Sequence, residues 1–369
     1  MKSNRESNLE LLRIISMILI VAHHFALNIN YDFGQNIFWN RSIVDILSVG
    51  GKIGVNCFVL ISGFYMVKSK FKIKKLINLM IEVLFYSLFG ILMAKFFTPN
   101  VLNIKNIVKA IFPITYGEYW FMSAYVIVYM LSPFINEIIR NIKKNSLENL
   151  IVILMLVEVF IPTISASDFQ YSSIIWFITL YLIGAYISIY KKFNDRNICA
   201  IVGMGSYAII VISIILFEFI GTKIKIISQH TTYFTKINTI FCVLASIGIF
   251  LYFKNIKVFH NGFINNVSST TLGIYLIHDN KYIRPIIWNN IINAKKYIDE
   301  FYFLGYSIIS ILIVFIVCAF IERIRQLFFN KLIFKLSNKI EEIVVKIIKR
   351  TIKLKYKLLN NSKVVKGEK

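Results

Sequence analysis

The N-terminal segment of the chain places ionisable side chains in or beside an apolar stretch of helical character. Glu10 and Arg13 precede the run Ile14–Val21, and the adjacent histidines His23 and His24 follow it. Charge inside a hydrophobic span is costly, so an ionisable residue there marks a functional site by default. An imidazole is suited to accept a proton near neutral pH. This segment is therefore the first place to look for chemistry.

Helical spacing relates Arg13 to one of the two histidines. The two residues are eleven positions apart, which at roughly 100° per residue is three turns plus about 20°, and about 16 Å along the axis. His23 falls about 80° to the other side of Arg13. If one histidine works with Arg13, the spacing favours His24. Glu10 stands three residues before Arg13 and can pair with it. The alternatives are a topological anchor for Glu10 and Arg13 and a structural imidazole for His24.

Composition defines the elements that must position these residues. The chain has 369 residues and is 57% hydrophobic, and its mean hydropathy of +0.66 is too apolar for a soluble globular protein. Apolar stretches of about 20 residues indicate membrane spans. We predict an all-α, polytopic integral membrane helix bundle of about ten transmembrane helices. The predicted spans are 9–28, 46–67, 76–97, 119–139, 149–164, 174–190, 198–219, 235–253, 266–280 and 302–321.

The distribution of positive residues predicts the orientation of the spans. Short connections on the side of the N-terminus carry dense Lys/Arg clusters, which is typical of cytoplasmic loops. We expect a multi-pass protein of the cell membrane with both termini cytoplasmic. One predicted outer loop, which contains Lys281, Arg284, Lys295 and Lys296, departs from this pattern and could hold an anionic ligand.

The C-terminal region differs from the rest of the chain in charge. We divide the sequence into a transmembrane domain, 1–322, and a basic amphipathic cytoplasmic tail, 323–369. Apolar residues of the tail recur at helical spacing, which predicts a helix lying on the anionic inner leaflet and contacting membrane lipids; protein docking is the alternative. Much of the net charge of +23 lies in this tail, and no nucleotide- or RNA-binding motif is present, so no nucleic-acid partner is expected.

The cysteines and histidines give no indication of a metal centre. The four cysteines are isolated within predicted spans and are expected to pack as small apolar residues. The imidazoles of His23 and His24 diverge on a helix, so they are poorly placed to chelate one ion. We predict no metal site.

Four motifs occur in an order that resembles acyltransferase family 3. The first is the run 8–13 followed by His24, an Arg-x10-His pattern. The other three are 54–64, 119–122 with 129–133, and 273–278. The resemblance covers about residues 5–322. In many members of that family an extracytoplasmic hydrolase-like domain follows the membrane domain. We expect a stand-alone membrane domain here, because the tail is short and basic.

The family resemblance implies O-acylation of a surface or exported polysaccharide from cytoplasmic acyl-CoA, most simply acetyl-CoA, which acts as a donor substrate with no bound cofactor. It implies His24 as catalytic base or nucleophile, with Arg13 and Glu10 in support. Partners would be acyl-CoA, the glycan acceptor and proteins of polysaccharide biosynthesis. Donor-binding residues would be Arg13 with Lys72 and Lys75, which replace an Arg-x-x-Arg pair, and acceptor-side residues would be Tyr119, Trp120, Tyr275 and His278.

Two other classes of protein compete with this interpretation. A polysaccharide or lipid-linked sugar transporter would also have about ten spans, a polar interior and aromatic outer loops. A receptor or assembly scaffold would leave the register of Arg13 and His24 unexplained.

Overall fold

The computed structural model describes residues 5–29, 38–97, 101–165, 167, 171–190, 193–224, 227 and 230–365. These residues form helices and no strands, which confirms the predicted all-α class. The α-helices are α1 (Ser7–Leu27), α2 (Phe38–Met66), α3 (Ile73–Ala94), α4 (Ile104–Ile111), α5 (Trp120–Asn141), α6 (Lys144–Met155), α7 (Ile161–Ser165), α8 (Ser173–Tyr190), α9 (Arg196–Gly221), α10 (Ile240–Asn255), α11 (Gly262–Ser268), α12 (Thr271–His278) and α13 (Phe303–Val365). Segments of π-helix join α6 to α7 and follow α12, at Leu156–Phe160 and Ile286–Ile292.

Among the described residues, eight helices are long and apolar enough to cross a membrane. They are α1, α2, α3, α5, the continuous segment Lys144–Ser165, α8, α9 and α13. The chain is therefore a polytopic helix bundle, as predicted. The predicted span 235–253 corresponds to α10, an apolar helix of 16 residues.

The predicted span 266–280 is not one continuous helix. It consists of α11 and α12, which are separated at Ser269 and Thr270. The hydroxyl groups of Ser269 and Thr270 donate to the carbonyls of Asn266 and Val267. Such local bonds compete with the helical ladder. The break directs α12 into the centre of the bundle beside α1.

Glycines allow α1 and α2 to pack very closely. A Cβ atom at Gly54 would lie 2.5 Å from the carbonyl oxygen of Ser16, and one at Gly51 would lie 2.3 Å from the Cβ of His23. Small residues at such positions let helix backbones approach in a membrane, where packing contributes most of the association energy. This contact fixes the face that α1 presents to the rest of the bundle.

Helix α13 runs without a break across the predicted domain boundary at 322/323. Glu322 is fully buried and accepts hydrogen bonds from Tyr86, Arg325 and Gln326, so the helix stays attached to the bundle beyond that boundary. Further along, Ile340, Ile343, Ile347 and Ile348 are exposed. The predicted tail is thus the distal part of a long helix, and its location on a membrane surface stays a prediction.

Candidate active site

One face of α1 lines a cavity of about 510 Å³ inside the bundle. The cavity is bordered by Arg13, Met17, Ile20 and His24, at relative positions 0, 4, 7 and 11. These positions follow one helix face. The structure thus brings Arg13 and His24 to one cavity, at opposite ends of the stretch of α1 that lines it. We refer to these as the Arg13 end and the His24 end.

The imidazole of His24 is held in a buried hydrogen-bond chain. Its Nδ1 atom lies 2.8 Å from Nε2 of His278. Nδ1 of His278 lies 2.6 Å from the carbonyl oxygen of Ile274, one turn earlier in α12. His278 is fully buried and His24 is 8% exposed. The sequence places these two histidines 254 positions apart, and the insertion of α12 beside α1 joins them.

The hydrogen-bond chain fixes which nitrogen of His24 is free. A carbonyl oxygen only accepts, so Nδ1 of His278 carries a proton and Nε2 of a neutral His278 is an acceptor. Nδ1 of His24 must then donate to it. When His24 is neutral, the lone pair that remains available is on Nε2. A neutral His24 therefore presents a basic Nε2.

A carboxylate lies next to the free nitrogen of His24. Oδ1 of Asp279 is 3.5 Å from Nε2 of His24 and 2.7 Å from Nη2 of Arg284. Asp279 is 3% exposed, and Arg284 also donates to its main-chain carbonyl at 3.1 Å. The carboxylate is positioned to stabilise an imidazolium on His24. Asp279 was not among the residues predicted from the sequence, although its position directly after His278 and the nearby cation Arg284 were visible signals.

Glu10 and Arg13 form an ion pair on α1, as the spacing predicted. Nη1 of Arg13 lies 2.8 Å from Oε1 of Glu10, and the Ser268 hydroxyl donates to the other carboxylate oxygen of Glu10. Glu10 is buried, whereas Arg13 is partly exposed and lines the cavity. Its guanidinium also lies 6.0 Å from the centre of the Tyr65 ring. Glu10 therefore holds Arg13 in place and leaves donor N–H groups for a ligand.

The structure divides the four predicted acceptor-side residues into two pairs. Trp120 and Tyr275 line the cavity, and the Tyr275 hydroxyl makes no hydrogen bond of normal geometry within the described residues. Tyr119 is buried; its hydroxyl donates to the carbonyl of Leu276 at 3.1 Å and accepts from Asn280 at 2.6 Å. Tyr119 and His278 are outside the cavity lining, and they hold the C-terminal part of α12 in position.

His23 also lines the cavity, so its angular position on α1 does not exclude it from the site. Its Nδ1 atom lies 2.5 Å from the carbonyl oxygen of Ser48, and its Cβ faces Gly51. In the described ranges, no ion pair between His23 and a carboxylate is present, whereas His24 has Asp279. The distinction between the two histidines rests on these partners as well as on spacing.

The two predicted donor-binding lysines lie where α3 begins, and both are exposed. The hydroxyl of Tyr129 donates to the carbonyl of Lys72 at 3.2 Å, and Nζ of Lys75 lies 5.7 Å from the centre of the same ring. Neither lysine borders the cavity. Their role in donor binding stays a prediction.

The described part of the chain contains no group of three His, Cys, Asp or Glu side chains that could hold a metal ion. His24 and His278 are bonded to each other instead of facing a shared point. All four cysteines are buried and free.

Fold and site together describe a multi-pass membrane helix bundle with an internal cavity that Arg13 and His24 border. A family model described as an acyltransferase domain matches residues 6–323. The chain belongs to this family, acyltransferase family 3, and is a membrane acyltransferase. No curated protein and no solved structure matches the chain.

Proposed function

We propose that the protein is an O-acyltransferase that transfers an acyl group, most simply acetyl, from acyl-CoA to a hydroxyl of a surface or exported polysaccharide. The hydrogen-bond chain Ile274–His278–His24 carries the proposal, because it leaves Nε2 of His24 as a base beside Asp279. A membrane acyltransferase that uses a hydroxyl acceptor needs such a base.

The proposed reaction uses His24 as general base. Nε2 of His24 takes the proton of the acceptor hydroxyl while the oxygen attacks the thioester carbonyl carbon. The C–S bond of the tetrahedral intermediate then breaks, and the CoA thiolate leaves with the proton returned by the imidazolium, as CoA–SH. Asp279, 3.5 Å from Nε2, stabilises the imidazolium between the two steps. Tyr275, which borders the cavity, is the candidate donor to the developing oxyanion.

The donor is proposed to enter from the Arg13 end. Arg13 offers a guanidinium suited to phosphate oxygens, and the wall between Arg13 and His24 includes the apolar side chains of Met17 and Ile20. The axial separation of roughly 16 Å between Arg13 and His24 suits an extended pantetheine arm. Lys72 and Lys75, at the start of α3, are proposed to contact the nucleotide of CoA. This arrangement supports a cytoplasmic Arg13 end.

The acceptor is proposed to occupy the His24 end. Trp120 stands at the start of α5, is 42% exposed and borders the cavity. An aromatic face of this kind suits the apolar face of a sugar ring. Tyr275 also borders the cavity. His278 does not border it and is proposed to orient His24 through their hydrogen bond.

Purified full-length protein in liposomes tests the proposal. With labelled acetyl-CoA and a polysaccharide acceptor, we expect stoichiometric release of CoA and a glycan heavier by one acetyl group per event. A transporter would instead move glycan across the bilayer without acetyl-CoA and leave its mass unchanged. That result would contradict acyl transfer and indicate a transporter.

A further inference from the structure

The amide of Asn238 is a buried polar group on the wall of the cavity that Arg13 and His24 border. Asn238 lies in the segment between α9 and α10, is 5% exposed and borders this cavity. A buried amide is costly unless its hydrogen bonds are made. The reaction proposed for His24 does not use this side chain, so its partners indicate what else it does.

A π-helical segment of a neighbouring span holds the nitrogen of the amide. Main-chain hydrogen bonds in Leu156–Phe160 span five residues, as between the N–H of Ile161 and the carbonyl of Leu156. Such turns interrupt the α-helical register and are frequent at functional sites. Nδ2 of Asn238 donates to the carbonyl of Glu158, inside this segment, at 2.8 Å. Because a carbonyl only accepts, this bond fixes the orientation of the amide.

The oxygen of the same amide has no hydrogen-bond partner among the described residues. In that part of the chain, the bond to Glu158 is the only hydrogen bond that the Asn238 side chain makes. Its Oδ1 atom is not enclosed, since the side chain lines the cavity. An amide oxygen is an acceptor with two lone pairs. Oδ1 is therefore available to a hydroxyl or N–H group of a ligand in the cavity.

The segment that carries Asn238 is held on both sides, so the amide has a fixed position. Nδ2 of Asn56 in α2 donates to the carbonyl of Ile237 at 2.9 Å. The N–H of Ile240, at the start of α10, donates to the Thr163 hydroxyl at 3.1 Å. A binding group that is held in advance loses little conformational freedom when a ligand binds. This arrangement is typical of a contact that orients a substrate.

The same segment lies at the His24 end of the cavity. Lys236, two residues before Asn238, borders both this cavity and a second cavity of about 520 Å³. The lining of the second cavity includes Ala26, two residues after His24 in α1. The proposed site for the CoA phosphates is at the opposite end, beside Arg13. We therefore assign the free oxygen of the amide to the acceptor side.

We propose that Oδ1 of Asn238 accepts a hydrogen bond from one hydroxyl of the acceptor sugar, so that a second hydroxyl of the same sugar reaches His24. The inference rests on the proposed acyl transfer and narrows the acceptor to sugars with at least two free hydroxyl groups, one bound and one acylated. A site built to bind a hydroxyl discriminates against an analogue that lacks it, because the polar group of the site is then left unpaired. Asn238 is thus a specificity-determining residue.

Transfer kinetics of the full-length protein in liposomes test this contact. The acceptor is extracellular polysaccharide of the source organism after alkaline removal of its O-acyl groups, and the donor is labelled acetyl-CoA. We expect Asn238→Leu to raise the KM for the polysaccharide about tenfold and to leave the KM for acetyl-CoA unchanged. Asn238→Asp keeps an acceptor oxygen and loses only the donor to Glu158. It should retain most of the affinity for the polysaccharide.

The matched control is Asn197→Leu, which removes an exposed amide at the start of α9 and should leave both KM values unchanged. Size-exclusion chromatography checks the folding of each variant, and Asn238→Ala replaces Asn238→Leu if the larger side chain prevents folding. An unchanged KM for the polysaccharide in Asn238→Leu overturns the proposal. Equal rises in Asn238→Leu and Asn238→Asp also overturn it, because they indicate a structural role through Nδ2 alone. A raised KM for acetyl-CoA alone assigns the amide to the donor and has the same consequence.

Failure of the proposed function gives a different result. Binding of the same polysaccharide, fluorescently labelled, is measured in nanodiscs without acetyl-CoA. If the wild type transfers no label while Asn238→Leu binds the polysaccharide about tenfold more weakly than the wild type does, acyl transfer is wrong and the sugar contact stands. A wild type that neither acylates nor binds the polysaccharide contradicts both.

Discussion

Nδ1 of His24 and Nε2 of His278 lie 2.8 Å apart, although 254 positions separate the two residues in the sequence. Because Nδ1 of His278 donates to a carbonyl, this contact fixes the tautomer of His24 and leaves its Nε2 as the basic atom. A base oriented by a third group is the arrangement that activates hydroxyl nucleophiles in other acyl-transfer sites. The orienting group is here a second histidine, and Asp279 faces the reactive nitrogen.

Replacing His278 tests the orienting role. His278→Leu removes the acceptor for Nδ1 of His24, so we expect kcat to fall about a hundredfold with little change in the KM for acetyl-CoA. His278→Gln provides an amide oxygen that can accept the same hydrogen bond and should recover part of the loss. Steady-state CoA release measures both constants. A raised KM with unchanged kcat would instead indicate that His278 contacts a substrate.

Replacing Asp279 tests the stabilisation of the imidazolium. Asp279→Asn keeps the size of the side chain and removes the charge beside Nε2 of His24, so we expect kcat to fall about tenfold to a hundredfold. The control is Asp299→Asn, which changes an exposed acidic residue and should retain wild-type kcat. Wild-type turnover in Asp279→Asn would remove the carboxylate from the mechanism.

Variants of the Glu10–Arg13 pair distinguish a role of Arg13 in donor binding from a role in the stability of the fold. Arg13→Gln removes the proposed phosphate ligand and leaves the buried carboxylate of Glu10 without its cation. We expect a roughly tenfold rise in the KM for acetyl-CoA together with a lower melting temperature. In the double variant Glu10→Gln/Arg13→Gln the melting temperature should recover and the KM should stay high. Recovery of both would show that Arg13 acts only through folding.

Gly273 tests how closely α12 packs against α13. A Cβ atom there would lie 2.3 Å from Oε2 of Glu322, which is held by Tyr86 and Arg325. We expect Gly273→Ala to destabilise the protein by about 2 kcal/mol, measured as a lower melting temperature in detergent. Gly205→Ala in α9, where nothing lies within 4 Å of the added atom, should be neutral or slightly stabilising. Equal melting temperatures would show that Glu322 is free to move.

Properties of single helices could be predicted from the sequence. The apolar runs gave the spans because a bilayer requires a minimum length of apolar helix, and the common face of Arg13 and His24 followed from the helical repeat. The break between α11 and α12 was missed because averaging over an apolar window hides the effect of Ser269 and Thr270. The boundary at 322/323 follows a change in charge, and the backbone of α13 continues across it as one helix.

Contacts between distant segments could not be predicted from one sequence. His278 was predicted to lie on the acceptor side. Its position near the end of a predicted span does not indicate which helix it contacts, and the structure places it against His24. Asp279 lies beside His24 only because α12 packs against α1. Local periodicity specifies the face of a helix, whereas the partner of that face depends on tertiary packing.

Acetyl transfer by His24→Ala, with His23→Ala as its matched comparison, tests the central claim most directly. The two residues are adjacent and both border the cavity, but the bond to His278 and the contact with Asp279 belong to His24. In liposomes with labelled acetyl-CoA and a glycan acceptor, we expect His24→Ala to lose label transfer by at least about a hundredfold. His23→Ala should keep most of it. Full transfer by His24→Ala would contradict the account.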